Sequence, residues 1–151
     1  MTPRYGIDTS ILVRLATGDP ESAFERSLAR LTELIEQDNA EIFASNQVIG
    51  ESYIALQHHY GVSKSEARAA LTDVLCSGLV APLNGHIVVE SLATGPPSRG
   101  AAGGVPVGGC GLLDRLIEQD YSRSGLFTLT LDQRMAGLEG ARLLYRQDAR
   151  T

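Results

Sequence analysis

The chain has 151 residues, of which 43% are hydrophobic and 21% are charged, and its formal net charge is −5. This length and composition are typical of one globular domain with a single core. No apolar run is long enough to span a bilayer, and the N-terminus lacks the apolar core of a secretory signal. We therefore expect a cytoplasmic protein that does not enter a membrane.

The few cysteine, histidine and lysine residues argue against several kinds of site. Cys76 and Cys110 lie far apart, which argues against a zinc site and against a disulfide framework. His58 and His59 are neighbours in sequence, so they cannot share a metal on a helix. Lys64 is the only lysine, and no Gly-rich phosphate loop of the P-loop type is present. The negative net charge also disfavours nucleic-acid binding that depends on many phosphate contacts.

The first part of the chain predicts two short strands and a helix. Residues 4–8 are the first strand, and an amphipathic stretch follows directly. Asp19 is expected to be the N-cap of a helix with Pro20 in its first turn. Residues 40–44 are expected to form a second strand.

Capping signals mark the next two helices. Ser45 or Asn46 is expected to cap a helix that ends at Gly61. Ser63 and Glu66 have the spacing of a capping box, which predicts the beginning of a further helix.

The second half continues the alternation of helices and strands around one exceptional stretch. We predict a strand ending near residues 82–83, a short helix over 86–94, a helix from 112 to about 125 and a strand over 126–132. Residues 95–111 hold seven glycines and three prolines without apolar periodicity, so we predict a loop or a disordered insert there. The whole chain, 1–151, is expected to be one α/β domain with a parallel sheet and helices on both faces.

Asp8 and Asp132 each close a predicted strand. In open α/β sheets functional groups gather at the carboxyl ends of the strands, so these two carboxylates are expected to converge. Each is equally well explained, taken alone, as a cap of the following helix or turn. Thr130 lies two residues before Asp132 and therefore on the same face of its strand. Its hydroxyl can orient a carboxylate or a metal-bound water.

Glu51 and Asp114 interrupt apolar stretches of two predicted helices. Burying an unpaired carboxylate is costly, and a hard divalent cation with oxygen ligands would offset that cost. Salt bridges to arginine are the alternative explanation. From the residues alone, a metal site and salt bridging both remain open.

Four stretches in this order resemble a PIN domain and, within that superfamily, the bacterial VapC-type toxins. They are "IDTSILVRL…GDPE", "VIGESYIALQHHYGVSKSEARAAL", "GLLDRLIEQD" and "TLTLDQRMA". The resemblance covers nearly the whole chain except residues 95–111. It implies a single PIN-like domain with a central parallel sheet of four or five short strands and helices on both faces.

The resemblance also implies the site and its chemistry. The family's four acids fall on Asp8, Glu51, Asp114 and Asp132, with Thr130 as the accompanying hydroxyl. In the family such acids bind Mg²⁺ or Mn²⁺ and hydrolyse RNA. The implied partners are an RNA substrate, a second copy of the chain in a homodimer, and a small antitoxin protein that occupies the active-site groove.

We therefore expect a metal-dependent endoribonuclease that is the toxin of a toxin–antitoxin pair, with Arg14, Arg115 and Arg134 as candidate contacts to RNA phosphates. The alternative is a catalytically impaired PIN-like module that binds a protein partner, because residues 95–111 depart from the family pattern. A phosphatase of the haloacid-dehalogenase type is disfavoured, since its second Asp would stand where this chain has Ser10.

Overall fold

A computed structural model describes residues 2–93 and 111–145 of the chain. The chain divides into two compact units, one within Met1–Gly95 and the other within Pro96–Thr151. Helices and parallel strands occur in both units, so the predicted α/β class is confirmed. Over the described residues, no helix has the length and apolar character needed to cross a membrane.

The first unit combines a small parallel sheet with helices. Its elements are β1 Arg4–Gly6, α1 Thr9–Thr17, α2 Glu21–Asp38, β2 Glu41–Ala44, α3 Asn46–His59, α4 Lys64–Leu75, β3 Ala81–Pro82 and α5 Ile87–Ala93. The strands lie in the order β1-β2-β3, so β2 is central. Both pairings are parallel, with Tyr5 opposite Ile42 and Phe43 opposite Ala81.

Capping side chains fix where two of these helices begin. The Ser45 hydroxyl accepts a hydrogen bond from the Val48 N–H (3.2 Å) at the start of α3. At α4 the Ser63 hydroxyl accepts from the Glu66 N–H (3.1 Å), and the Glu66 carboxylate accepts from the Ser63 N–H (3.2 Å). The predicted Ser45 cap and the predicted capping box are therefore confirmed. A cap of this kind contributes about 1 kcal/mol to stability.

The prediction that Asp19 caps α2 is wrong by one position. Pro20 is the N-cap, and its carbonyl accepts the first helical hydrogen bond, from the Phe24 N–H (3.0 Å). Pro20 keeps extended backbone angles (φ −70°, ψ 145°) and so lies outside the helix. Asp19 is then one residue too early for its side chain to reach the free N–H groups of the first turn. Its own N–H donates to the Thr17 hydroxyl (3.2 Å).

The core of the first unit holds α1 against α3 and α4. Its fully buried large side chains are Leu12, Ile49, Leu56, Leu71, Val80, Val88 and Leu92. Removing one such side chain from water contributes about 1.5–3 kcal/mol. Because Leu12 of α1 and Ile49 of α3 both belong to this core, packing holds the beginning of α1 beside α3.

The second unit has one helix and a pair of strands in its described residues. Its elements are α6 Leu112–Arg123, β4 Thr128–Thr130, a 3-10 turn at Met135–Gly137 and β5 Ala141–Leu143. The strands pair in parallel, with Thr128 opposite Ala141 and Thr130 opposite Leu143. The helix buries Leu112, Leu116 and Gln119. The strand predicted over 126–132 thus pairs only over 128–130, and β5 was not predicted.

Two further predictions remain open. The observed sheets have three and two strands, so one central sheet of four or five strands with helices on both faces stays a prediction. The Gly/Pro-rich stretch predicted to be a loop lies outside the described residues, apart from Gly111 at its end.

Candidate functional site

Asp8 stands between the end of β1 and the first turn of α1. It is the N-cap of that helix, and its Oδ1 accepts a hydrogen bond from the Ile11 N–H (3.3 Å). The Ser10 hydroxyl donates to the same oxygen at 2.5 Å. Asp8 is therefore a helix cap, as one of the two sequence interpretations held. The Ser10 hydroxyl and the Ile11 N–H both bond to Oδ1, and the Asp8 side chain is exposed, so capping does not prevent a ligand role.

Glu51 lies on the exposed side of α3, which corrects one step of the sequence interpretation. That interpretation took the carboxylate to be embedded among apolar neighbours, but the buried side chains of α3 include Ile49, Tyr53 and Leu56 on the other side. Successive helical residues turn by about 100°, so Glu51 stands roughly 200° from Ile49. No burial cost therefore has to be offset at Glu51.

Two donors nevertheless hold the Glu51 carboxylate. The Thr9 hydroxyl of α1 donates to Oε2 at 2.7 Å, and the Gln47 side-chain amide of α3 donates to Oε1 at 3.2 Å. Neither donor was predicted as part of the site. Gln47 lies four residues before Glu51, and Thr9 directly follows Asp8, so helical spacing and sequence adjacency were the available signals.

Hydrogen bonds favour the ionised form of both carboxylates in this first pair. The pKa of Asp8 is lowered by the Ser10 hydroxyl and then by the Ile11 N–H. The pKa of Glu51 is lowered by the Thr9 hydroxyl and then by the Gln47 amide. A carboxyl whose pKa is depressed in the folded state stabilises the fold above its unfolded pKa, and this stabilisation is lost as the pH falls through the folded pKa.

Asp114 and Asp132 form a second pair of acids, in the second unit. Asp114 lies in the first turn of α6 and is half-buried. Its pKa is raised, first by burial and then by the negative charge of Asp132. The sign of the stability effect is therefore opposite to that of the first pair. The ionised Asp114 costs stability, and this cost develops as the pH rises from the unfolded pKa through the folded pKa.

Thr130 contacts the main chain of Asp132 instead of its carboxylate. Its hydroxyl oxygen accepts a hydrogen bond from the Asp132 N–H (3.0 Å), while the Asp132 Oδ1 accepts from the Arg134 N–H (2.8 Å). That this hydroxyl orients a carboxylate or a metal-bound water stays a prediction. Thr130 and the Arg134 N–H together fix the turn after β4 from which the exposed Asp132 side chain projects.

The structure therefore brings the predicted acids together in two pairs. Asp8 and Glu51 are linked through the first turn of α1, and Asp114 and Asp132 interact by charge in the other unit. Over residues 2–93 and 111–145, no group of three or more His, Cys, Asp or Glu side chains is arranged to hold a metal ion. The donors of both pairs are carboxylate oxygens, which are the ligands that Mg²⁺ and Mn²⁺ prefer. In donor chemistry the predicted residues fit such an ion.

An open groove lies beside the beginning of α1, and sequence reasoning did not predict it. Its volume is about 500 Å³, and it is lined by Ile11, Ala23, Arg26, Ser27, Arg30 and Leu31. Ile11 is also the residue whose N–H bonds to Asp8, so one residue of the groove contacts Asp8. Arg26 is exposed, and Arg30 forms an exposed ion pair with Glu33 (2.6 Å). The groove thus carries two arginine side chains, and one of its other residues contacts Asp8, a candidate metal ligand.

Of the three arginines proposed from the sequence as phosphate contacts, Arg14 and Arg115 are half-buried and Arg134 is exposed. Arg14 lies in the last turn of α1.

Comparison with protein-family models, with curated proteins and with solved structures finds no match to this chain.

Proposed function

We propose that this chain is a divalent-metal-dependent endoribonuclease with a PIN-like fold, and that it is the toxin of a toxin–antitoxin pair. The observation that carries the proposal is the first carboxylate pair: Glu51 accepts a hydrogen bond from the Thr9 hydroxyl, and Asp8 accepts one from the Ser10 hydroxyl, both in the first turn of α1. Hydrogen bonds that orient oxygen ligands before a cation binds favour a cation site, and they are compatible with the capping role of Asp8. The second pair, Asp114 and Asp132, supplies the other two acids of the family pattern.

A single central sheet of four or five strands with helices on both faces is part of the same proposal. Its support is that every strand pairing found in the described residues is parallel. In a parallel sheet the carboxyl ends of the strands share one edge, and ligands bind outside that edge. Asp8 and Asp132 follow β1 and β4 at those ends.

Asp8, Glu51, Asp114 and Asp132 would hold the Mg²⁺ or Mn²⁺ ion. When bound, the ion supplies Lewis acidity toward water and neutralises charge on a phosphodiester. The chain's own contribution is the state of its carboxyl groups. The pKa values of Asp8 and Glu51 are lowered by their hydrogen bonds, whereas the pKa of Asp114 is raised, first by burial and then by the charge of Asp132. We therefore expect cation binding to weaken in mild acid, chiefly through Asp114.

The proposal is tested by incubating the purified chain with an end-labelled RNA pool in Mn²⁺, in Mg²⁺ and in excess EDTA. We expect defined fragments with either metal and intact RNA in EDTA. Cleavage that persists in EDTA would contradict the metal dependence. Intact RNA under all conditions would favour the alternative of a binding module without catalysis.

We further propose that RNA phosphates bind along the groove lined by Arg26 and Arg30, which adjoins Asp8. Arg26→Ala is expected to weaken RNA binding for all sequences and to reduce by about 1 the slope of log affinity against log salt concentration. The matched control is Lys64→Ala, which removes an exposed cation of the same unit that does not line the groove. Filter binding in EDTA, at several salt concentrations, measures both quantities without cleavage. An equal effect of the two substitutions would contradict the assignment of the groove.

We also propose that the chain forms a homodimer, binds a small antitoxin protein and resides in the cytoplasm. The support in the structure is the exposure of large apolar side chains, among them Ile54 on α3 (39% exposed) and Phe127 and Leu129 beside and within β4 (64% and 63%). Large exposed apolar side chains are candidates for burial in a protein interface. We expect a dimer in sedimentation velocity at micromolar concentration. A species that stays monomeric up to about 100 μM, where weak interfaces associate, would contradict the homodimer.

A further inference from the structure

We infer that Thr9 is a positioning residue that presets the Glu51 carboxylate for cation binding, an inference that rests on the proposed function. Thr9 is the first residue of α1, and its hydroxyl donates to Glu51 Oε2 at 2.7 Å across 42 residues of sequence. Because Thr9 directly follows Asp8, the turn that is capped by one candidate ligand also holds the other. No role for Thr9 follows from the four-acid pattern itself.

The neighbouring contacts show how specific this arrangement is. The hydroxyls of Thr9 and Ser10 are consecutive in sequence but serve different carboxylates, since Ser10 donates back to Asp8 Oδ1 at 2.5 Å. Glu51 receives a second, longer bond on its other oxygen from Gln47 (3.2 Å). Thr9 is thus the donor from outside α3 that ties the Glu51 side chain to the Asp8 turn.

Preorganisation of Glu51 has a physical consequence for binding. A glutamate side chain on an exposed helix face samples several rotamers, and fixing it on ligand binding costs conformational entropy. The Thr9 bond fixes the carboxylate before any cation arrives. Each carboxylate oxygen can accept two hydrogen bonds, so a donor at Oε2 still leaves a lone pair for a cation.

A purely structural role for Thr9 makes a different prediction. The packing of α1 on α3 already depends on buried Leu12 and Ile49, and a tether of these helices would alter thermal stability without altering cation affinity. Outer-shell partners of metal ligands typically change metal affinity by 10–100-fold when they are removed. The two roles are therefore separable by measuring cation binding and stability on the same variants.

The experiment compares Mn²⁺ binding to the full-length wild-type chain and to Thr9→Val and Thr9→Ser, with free Mn²⁺ followed by electron paramagnetic resonance. We expect Thr9→Val to raise the Kd about 10–100-fold and Thr9→Ser, which keeps the hydroxyl, to remain near the wild type. Thr9→Ala, a good helix former, replaces Thr9→Val if valine perturbs the start of α1. The control is Thr72→Val, because the Thr72 hydroxyl bonds to the Arg68 carbonyl (2.8 Å) on α4 and contacts neither acid.

The outcomes distinguish this inference from the proposed function. A wild-type chain that binds no Mn²⁺ would overturn the cation site and the role of Thr9 with it. Wild-type binding with an unchanged Kd in Thr9→Val and Thr9→Ala would overturn the role of Thr9 alone. An equal loss of Mn²⁺ affinity in Thr9→Ser and Thr9→Val would also overturn the role of Thr9, because Thr9→Ser keeps the hydroxyl. Thermal unfolding without metal is measured in parallel, and Thr9→Val is expected to lose affinity well beyond any loss shown by Thr72→Val.

Discussion

Asp8→Asn is expected to lower the rate of Mn²⁺-dependent RNA cleavage by at least about 10²-fold, the usual cost of losing one electrostatic group in an active site. The substitution removes the charge of a candidate ligand and changes its shape very little. Asparagine caps helices as well as aspartate does, so the bond from the Ile11 N–H is expected to persist. The cleavage rate and the thermal unfolding of the metal-free protein are measured on the same preparation.

Two further variants separate the ligand role of Asp8 from its capping role. Asp8→Ala loses the cap as well as the charge, and we expect it to lower the free energy of unfolding by about 1 kcal/mol relative to Asp8→Asn. Asp19→Asn is the matched control, because Asp19 is an exposed acid near α1 that caps no helix. Undiminished cleavage by Asp8→Asn would overturn the assignment of Asp8 as a ligand.

Asp114→Asn is expected to have opposite effects on stability without and with metal. At neutral pH and without metal, the substitution should raise the free energy of unfolding by up to about 1 kcal/mol, because it removes a half-buried charge that Asp132 repels. This gain should shrink as the pH falls toward the unfolded pKa of aspartate and vanish only below it, where Asp114 is protonated in both states of the wild type. Stabilisation of the fold by added Mn²⁺, by contrast, should shrink, since ligand linkage requires a formed site.

Thermal unfolding between pH 4 and pH 8, with and without Mn²⁺, measures both effects. Asp73→Asn is the control, because Asp73 is an exposed acid on α4 outside both carboxylate pairs. If Asp114→Asn keeps the full Mn²⁺-induced stabilisation, Asp114 is not a ligand. If neither the variant nor the wild type is stabilised by Mn²⁺, the interpretation as a non-catalytic binding module gains support.

Local signals in the sequence predicted much of the secondary structure. The capping box of Ser63 and Glu66 and the cap by Ser45 were predictable because each depends on residues three positions apart. The strand β5 was not, because its three residues, Ala141 to Leu143, are too few for their alternation to be a signal and include no β-branched side chain. Its extended conformation depends on pairing with β4, a contact that no local pattern encodes.

The candidate site shows the same division between local and tertiary information. Asp8 and Asp132 were predicted to be the last residues of their strands, and each in fact lies two residues after the strand ends. The end of an apolar run is visible in sequence, but the residue at which strand pairing stops is not. Glu51 was wrongly taken to be embedded among apolar side chains, since sequence neighbours were counted without regard to the helical angle between them. The bond from Thr9 to Glu51 depends on the packing of α1 against α3, and it could be found only in three dimensions.

The most direct test of the cation site is X-ray diffraction from crystals grown with Mn²⁺, with anomalous data collected near the manganese absorption edge. We predict an anomalous peak whose protein ligands are carboxylate oxygens of Asp8, Glu51, Asp114 and Asp132, at the distances usual for such cations, about 2.0–2.6 Å. No peak at millimolar Mn²⁺, or a peak bound elsewhere while these four carboxylates hold none, would contradict the proposed metal-dependent ribonuclease.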